Sequence, residues 1–108
     1  MEDVEGRGSS GSADVAFDDD GVPIIRLSGE IDMSNVDALR RTIEPVVARA
    51  PDCVIFDLSG LSFMDSSGIA LLLQVSAKSK RVRVRRPSQL VQRMIEATGL
   101  TDILPVEP

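Results

Sequence analysis

The chain has 108 residues, with 12 basic and 17 acidic side chains and a net charge of −5. This length suits one domain, and the negative charge disfavours a protein whose main task is to bind nucleic acid or an anionic membrane. The sequence has no histidine and a single cysteine, Cys53, which excludes a Ser-His-Asp triad, a histidine-ligated metal and an internal disulfide. We therefore expect no catalytic activity and no metal or other cofactor.

The sequence also indicates where the protein resides. Its longest apolar run, Ile69 to Leu73, has five residues, far fewer than the ~18 that a membrane span requires. The first residues are acidic where a signal peptide would be basic and then apolar. We expect a soluble, cytoplasmic protein in which residues 1–12, rich in Gly, Ser and charge, are disordered and residues 13–108 form the folded domain.

Two short strands and a helix are predicted in the first half of the chain. Strands at 13–17 and 22–27 flank Asp20-Gly21, a pair that is typical of a hairpin turn. A helix should follow, because apolar residues recur at helical spacing across 36–47, and Ser34 with Asp37 resembles a capping box. Since Pro45 lies inside this pattern, the helix should kink or change character there.

Strands and helices alternate through the second half. A buried strand at 54–58 precedes a helix at 66–77, and "RVRVR", Arg81 to Arg85, predicts a strand with one face in water. Pro87 should then open a third helix at its first position, with Gly99 as its stop. Residues 103–106 are compatible with a last short strand.

This order of elements predicts an α/β fold. Strands that alternate with helices favour a mainly parallel sheet of four to five strands, covered by helices, and the first hairpin strand would be its antiparallel edge. Functional loops of such sheets collect beyond the carboxyl ends of the strands. The segments "GEIDMSN" and "FMDSSG" both connect a strand to a helix, so they are expected to lie side by side.

The segment "FMDSSG" supplies more helix-capping groups than one helix needs. Short acidic and hydroxyl side chains accept hydrogen bonds from the first N–H groups of a helix, so an ordinary cap explains part of it. The surplus hydroxyls at the positive end of a helix dipole also suit an anion or a group that becomes one. The candidate residues here are Asp65, Ser66, Ser67 and Gly68.

A basic run, "KSKRVRVRR", follows the second helix. Its charge would suffice for a nucleic-acid stripe, but no aromatic residue lies nearby to stack on bases, and the whole chain is acidic. A solvated strand face is the preferred interpretation, and an acidic protein partner is the next. Cys53 is interpreted as a small buried apolar residue.

Three blocks of the sequence resemble the STAS family and, within it, the bacterial anti-sigma factor antagonists. The most specific is "FMDSSGIALLL" placed after "VIFDLSGLS", and "LSGEIDMSN" before the first helix and "ATGLTDIL" after the third support it. The resemblance covers roughly residues 13–106 and implies a single STAS-type domain. Many members continue into a further helix, whereas this sequence stops at Pro108.

The resemblance implies a phosphorylation switch in the regulation of transcription. In this family the serine after the motif aspartate, here Ser66, is phosphorylated by an anti-sigma factor that is also a serine kinase. The unmodified antagonist binds this anti-sigma factor and releases a sigma factor in a stress response; phosphorylation blocks the binding, and a serine phosphatase restores it. The kinase, not this chain, would hold ATP and magnesium.

The partner-binding residues that the resemblance implies lie in both strand-to-helix loops: Asp32, Met33, Ser34, Asn35, Asp65, Ser66, Ser67 and Gly68. Asp32 matches the loop aspartate that lies near the phosphorylated position in the family. Adjacent hydroxyls cannot be ranked from sequence, so phosphorylation of Ser67 stays open. Two alternatives also remain: a STAS scaffold that binds partners whatever the state of Ser66, and a small nucleotide-binding protein, against which stands the missing P-loop motif.

Overall fold

The computed structural model describes residues 11–107, which form one mixed sheet with three helices. The predicted disorder of residues 1–12 therefore falls mostly outside the described residues, and Ser12 already belongs to the first strand. The elements, in chain order, are β1 (Ser12–Phe17), β2 (Pro23–Ile31), α1 (Val36–Val47), β3 (Cys53–Met64), α2 (Ser66–Ala77), β4 (Arg81–Arg85) and α3 (Gln89–Ala97).

The strands lie in the sheet in the order β1-β2-β3-β4. β1 pairs antiparallel with β2, and β2, β3 and β4 run parallel, which confirms the predicted α/β fold with an antiparallel edge strand. The predicted hairpin turn is also present. Gly21 adopts a φ of 82° there, and the Asp18 carboxylate accepts hydrogen bonds from the N–H groups of Asp20 and Val22.

One face of the sheet builds the core. The register places Ile25, Phe56 and Val84 side by side in neighbouring strands, and alternation along each strand puts Leu27, Val54, Leu58 and Val82 on the same face. These side chains join the buried residues of all three helices in a single apolar cluster. The helices therefore cover this face of the sheet.

The other face carries charged side chains. Arg26, Asp57 and Arg85 are register partners across β2, β3 and β4. Asp57 is 2% exposed, and its carboxylate lies 3.1 Å from the Arg86 guanidinium and 3.5 Å from that of Arg26. Burial alone would raise the pKa of Asp57, but hydrogen bonds from Ser59 and Arg86 outweigh burial and lower it to about 2.

β2 and β3 extend well beyond their predicted ends. Two register shifts, between Arg26 and Ser28 and between Gly29 and Glu30, mark irregularities where β3 contributes extra residues. The strands continue past both, so β3 runs to Met64 instead of ending at Leu58. This extension carries the end of β3 directly to the start of α2.

The starts of two helices differ from the predictions. Asn35, not Ser34, is the N-cap residue of α1, because the Asp32 carboxylate binds the Ser34 hydroxyl and N–H. Pro87 lies outside α3, whose N-cap is Ser88, with its hydroxyl accepting from the Val91 N–H at 3.1 Å. α1 continues through Pro45 and ends two residues later, at Val47.

The chain after α3 forms a turn and a single bridge. Gly99 adopts a φ of 74° next to the C-cap residue Thr98, as expected of a helix stop. The predicted strand at 103–106 is reduced to one parallel bridge between Val84 and Val106, because residues 101–104 turn away from the sheet to bury Leu104.

Candidate functional site

Residues 32–35, between β2 and α1, and residues 65–68, which are Asp65 and the first turn of α2, lie side by side at the carboxyl ends of β2 and β3 and are called the two loops of the site. The Asp65 N–H donates to the Ile31 carbonyl oxygen at 3.1 Å, so the second loop begins against the end of β2. The Met33 N–H, in the first loop, is near enough to help lower the pKa of the Asp65 carboxyl. The structure thus confirms the expected contact between the two loops.

Asp65 organises the start of α2. Its carboxylate accepts from the Ser67 N–H at 2.8 Å and from the Ser67 hydroxyl, which makes Asp65 the N-cap residue. The pKa of Asp65 lies below its ordinary value, because the Ser67 hydroxyl and then the backbone N–H groups of Ser67, Gly68 and Met33 stabilise the charged form more than desolvation disfavours it. Asp65 is therefore a fixed negative charge at neutral pH.

The structure distinguishes the two adjacent serines of this loop. The Ser67 hydroxyl donates to Asp65, and the residue is half-buried. Ser66 is the first residue of α2, is exposed, and its hydroxyl has no hydrogen-bond partner among residues 11–107. Sequence alone could not rank the two hydroxyls as candidate modification sites. In the structure the Ser66 hydroxyl is the more accessible of the two.

The loop before α1 has the same local geometry. The Asp32 carboxylate accepts from the Ser34 N–H at 2.9 Å and from its hydroxyl, as Asp65 does from Ser67. The Asn35 side chain ties this loop to β2, accepting from the Asp32 N–H at 3.0 Å and donating to the Glu30 carbonyl oxygen at 2.8 Å. These bonds hold Asp32 and Asn35 in the loop and leave Met33 protruding.

Gly68 is buried under the loop instead of lying on its surface. A Cβ atom at this position would lie 2.7 Å from the Met64 Cβ, closer than side chains pack. The absence of a side chain therefore lets the first turn of α2 pack against the end of β3. Of the eight predicted site residues, Gly68 is the one that could contribute only by shaping the site.

Two exposed apolar side chains lie in or next to the two loops. Met33 is 80% exposed, and Phe63, two residues before Asp65, is 41% exposed. Sequence reasoning included Met33 in the candidate site but missed Phe63. The sequence does show a large aromatic residue two positions before the Asp-Ser-Ser motif. Because β3 was predicted to end at residue 58, five residues before Phe63, that side chain was not assigned to the site.

The side chains of the site do not form a metal-binding cluster in the described part of the chain. Within residues 11–107, no three His, Cys, Asp or Glu side chains are grouped so that they could hold a metal ion. The carboxylate that precedes Ser66 in the chain, that of Asp65, is already engaged in hydrogen bonds with Ser67. The same described part of the chain has no helix that combines the length and the apolar character needed to cross a membrane.

This fold, with paired loops at the ends of two parallel strands, corresponds to a known family. The STAS domain model matches residues 16–108. The chain belongs to the STAS family. The matched range includes all three helices and both loops of the candidate site, so the STAS domain accounts for the whole arrangement described above.

Related proteins with similar sequences and structures are named as regulators of sigma factors. A Paenibacillus polymyxa protein named anti-sigma F factor antagonist is 32% identical over 91 residues, which cover 80% of this chain and 78% of that protein. The crystal structure of an anti-sigma factor antagonist from Mycobacterium paratuberculosis has a TM-score of 0.82 and 34% identity, covering 93% of this chain and 87% of that one. The anti-sigma factor antagonist SpoIIAA in its unphosphorylated form has a TM-score of 0.72 and 27% identity, covering 90% and 89%.

Proposed function

We propose that this STAS protein is an anti-sigma factor antagonist that phosphorylation of Ser66 switches off. In the unmodified state it binds an anti-sigma factor with serine kinase activity and thereby releases a sigma factor. Phosphorylation of Ser66 by that kinase ends the binding, and a serine phosphatase restores it. The protein has no catalytic activity of its own in this scheme.

The observation that carries this proposal is the exposed, unengaged hydroxyl of Ser66 at the first position of α2. A kinase must reach the hydroxyl oxygen, and Ser66 offers it without breaking a hydrogen bond to residues 11–107. Ser67 would have to release Asp65 first. The names of the relatives support the antagonist role, and one of them is described in an unphosphorylated form.

A phosphate on Ser66 would change the surface more than the fold. It adds about −1.5 to −2 charges, and the N-terminus of α2 favours an anion through its dipole. The added charge would lie next to Asp65, which is already ionised. A partner whose surface fits a compact acidic loop would then meet bulk and like-charge repulsion, while the domain stays folded.

Met33 and Phe63 supply the apolar part of the proposed binding surface. Exposed apolar side chains next to a polar, switchable centre are typical of protein-binding sites, in which a few anchors carry most of the binding energy. Asp32, Ser34 and Asn35 hold Met33 in place through the bonds described above. The proposed surface therefore consists of these residues together with Asp65, Ser66 and Ser67, with Gly68 beneath them.

The test is affinity capture with four baits: wild type, Ser66→Ala, Ser66→Glu and Ser66→Gln. Each bait is incubated with lysate of cells that naturally express the protein, and the captured proteins are then given ATP. We expect wild type and Ser66→Ala to retain a protein with a kinase domain that Ser66→Glu loses. Ser66→Gln has the size of the glutamate variant without its charge, so it should retain more than Ser66→Glu.

Mass spectrometry of the baits after the ATP step completes the test. Wild type should gain one phosphoryl group on Ser66, and Ser66→Ala should gain none. Equal capture by all four baits without phosphate on Ser66 or Ser67 would instead indicate a phosphorylation-independent STAS scaffold. Saturable binding of a nucleotide to the purified protein at one site would support the nucleotide-binding alternative.

A further inference from the structure

The outer edge of β4 is only half covered. Parallel pairing directs the N–H and C=O groups of Arg81, Arg83 and Arg85 toward β3, so those of Val82 and Val84 point away from the sheet. The Val84 N–H donates to the Pro105 carbonyl oxygen at 2.8 Å, and its C=O accepts from the Glu107 N–H at 2.8 Å. Across this edge the Val82 backbone has no hydrogen-bond partner among residues 11–107.

An open groove of about 750 Å³ lies beside this uncovered half. One wall is the start of β4, from Lys80 to Arg83, and the other is the turn that contains Asp102 and Ile103. Ile103 is 49% exposed, which adds an apolar surface to the groove. The backbone groups of Val82 beside it, which have no partner among residues 11–107, suit an extended strand.

The groove is lined by the cations Lys80, Arg81 and Arg83 and by the acids Asp102 and Glu107, and its cations are not all paired. Lys80 lies 3.5 Å from Asp52, and Arg83 lies 3.4 Å from Glu107. Arg81 forms no ion pair within the described part of the chain, 11–107, and its side chain lies on the helix-free face of the sheet. The uncovered backbone of Val82 is thus adjacent to an unpaired guanidinium group.

The chain itself shows what this edge accepts. Val106 forms a parallel bridge with Val84, and the carboxylate of the next residue, Glu107, lies 2.9 Å from Arg85 and 3.4 Å from Arg83. On the covered half, an apolar residue, Val106, thus lies beside a valine of β4, and the acid that follows it, Glu107, lies beside arginines of β4. The uncovered half repeats the same Arg-Val alternation.

From this arrangement we propose that Arg81 to Arg83 and the adjoining groove form a second docking site, which takes an extended segment of another protein with alternating acidic and apolar residues. The segment adds a strand to β4: its backbone pairs with Val82, its acids lie against Arg81 and Arg83, and its apolar side chains lie toward Ile103. The site lies at the opposite end of β3 from Ser66, roughly 30 Å away at strand spacing.

A second copy of the same strand is a poor occupant of this edge. Pairing β4 with β4 would place the arginines of two copies next to each other on the helix-free face, and like charges across neighbouring strands are destabilising. Arginine on an edge strand is a known protection against such pairing. The same charges that exclude a copy favour an acidic strand.

The experiment uses three peptides and the amide signals of the whole chain in ¹⁵N NMR spectra. The probe SGEVEVEGS carries the proposed alternation, SGKVKVKGS reverses its charge, and SGEPEVEGS keeps the charge but loses one backbone N–H. We expect the probe to shift the Val82 amide signal and slow its hydrogen exchange, with little change at the already bonded Val84. The lysine and proline peptides should bind more weakly.

A charge reversal at Arg81 provides the matched control. Arg81→Glu should weaken binding of the acidic peptide by about fivefold, as expected for one exposed ion pair turned into a repulsion, and should improve binding of the lysine peptide. Arg93→Glu makes the same change on the exposed face of α3 and should leave the binding of the acidic peptide and of the lysine peptide nearly unchanged.

Several outcomes would overturn the proposal: no effect on Val82 at millimolar peptide, equal binding of the proline peptide, or equal losses in the two glutamate variants. Protection of the Val82 amide in the protein alone would mean that the edge is occupied already, by a second copy if the protection rises with protein concentration. The readout does not involve Ser66, so failure of this site and failure of the proposed switch are distinguishable.

Discussion

The loops before α1 and α2 begin with the same structural unit and present different groups. In both, an aspartate accepts from the N–H and the hydroxyl of the serine two residues later, Asp32 from Ser34 and Asp65 from Ser67. The residue between them is exposed in each case: Met33 in the first loop and Ser66 in the second. One turn presents an apolar anchor and the other a hydroxyl.

The difference arises from where the helix begins. α2 starts directly after Asp65, so Ser66 stands at the positive end of the helix dipole. α1 starts only after Asn35, whose side chain ties the loop to β2 instead of capping the helix. The same Asp-X-Ser turn therefore presents an apolar side chain, Met33, where the helix starts later. It presents a hydroxyl at a helix N-terminus, Ser66, where the helix starts at once.

The largest effect is expected at Asp57 in β3, which also accepts from the N–H of the serine two residues later, Ser59, at 3.0 Å and is buried beside Arg86. Asp57→Asn removes a buried carboxylate that hydrogen bonds from Ser59 and Arg86 stabilise, and should lower the free energy of unfolding by about 2–3 kcal/mol. Asp32→Asn, in the exposed loop, should cost less than about 1 kcal/mol. Urea denaturation measures both variants.

The pH dependence provides the second readout for Asp57. Its pKa is lowered from 3.8 to about 2 on folding, so its contribution of about 2 kcal/mol is fully present above pH about 5 and is lost as pH falls through about 2. Between pH 5 and 2.5, wild type should lose more stability than Asp57→Asn. If the free energy of unfolding falls equally with pH in the two proteins, the pKa of Asp57 is not lowered on folding.

The next effect concerns the fourth position of each loop, Gly68 and Asn35. Gly68→Ala forces a Cβ against Met64, and the overlap should cost about 2 kcal/mol of unfolding free energy. Asn35→Ala loses hydrogen bonds without a clash and should cost about 1 kcal/mol. If Gly68→Ala is as stable as wild type in thermal denaturation, close packing of α2 on β3 is not why glycine is required.

Met33→Ala tests the first loop as an apolar anchor. It should weaken binding to the captured anti-sigma factor about tenfold, since loss of a central anchor typically has an effect of this size. Stability should not change, because Met33 is 80% exposed. Leu90→Ala is the matched control: Leu90 is also exposed, at 51%, but lies on α3. Equal losses in the two variants would mean that Met33 is no anchor.

The smallest effect is expected on removing the serine hydroxyls that donate to the loop aspartates, those of Ser34 and Ser67. Ser67→Ala and Ser34→Ala should each cost about 1 kcal/mol of unfolding free energy, because each removes one hydrogen bond to an aspartate. Ser67→Ala should still be phosphorylated at Ser66 when it is incubated with the kinase and ATP. Loss of that phosphorylation, with α2 intact by circular dichroism, would mean that Ser67 is the acceptor.

Local patterns predicted the elements whose residues follow one periodicity without interruption. β4 and α2 have their predicted bounds, Arg81–Arg85 and Ser66–Ala77, because alternation and helical spacing are unbroken there. The irregularities in the β2-β3 pairing broke the alternation, so the last six residues of β3 were missed. The exposed Phe63 was missed with them.

The candidate site was predicted in composition but not in detail. The Asp-Ser-Ser-Gly motif located the loop, yet only the direction of the Ser67 hydroxyl separates the two serines. The capping box at Ser34 was wrong for a related reason. The Ser34 hydroxyl and N–H donate to the Asp32 carboxylate two residues earlier, and this local bond holds Ser34 in the loop before the helix instead of at its N-cap.

The order of the strands in the sheet is also their order along the chain. Each strand pairs with the one made just before it, so every ladder can close as soon as its second strand leaves the ribosome. The bridge between Val84 and Val106 must wait until the residues after α3 have been made. During synthesis the outer edge of β4 is therefore uncovered while α3 forms, and the arginines of β4 protect that edge in the interval.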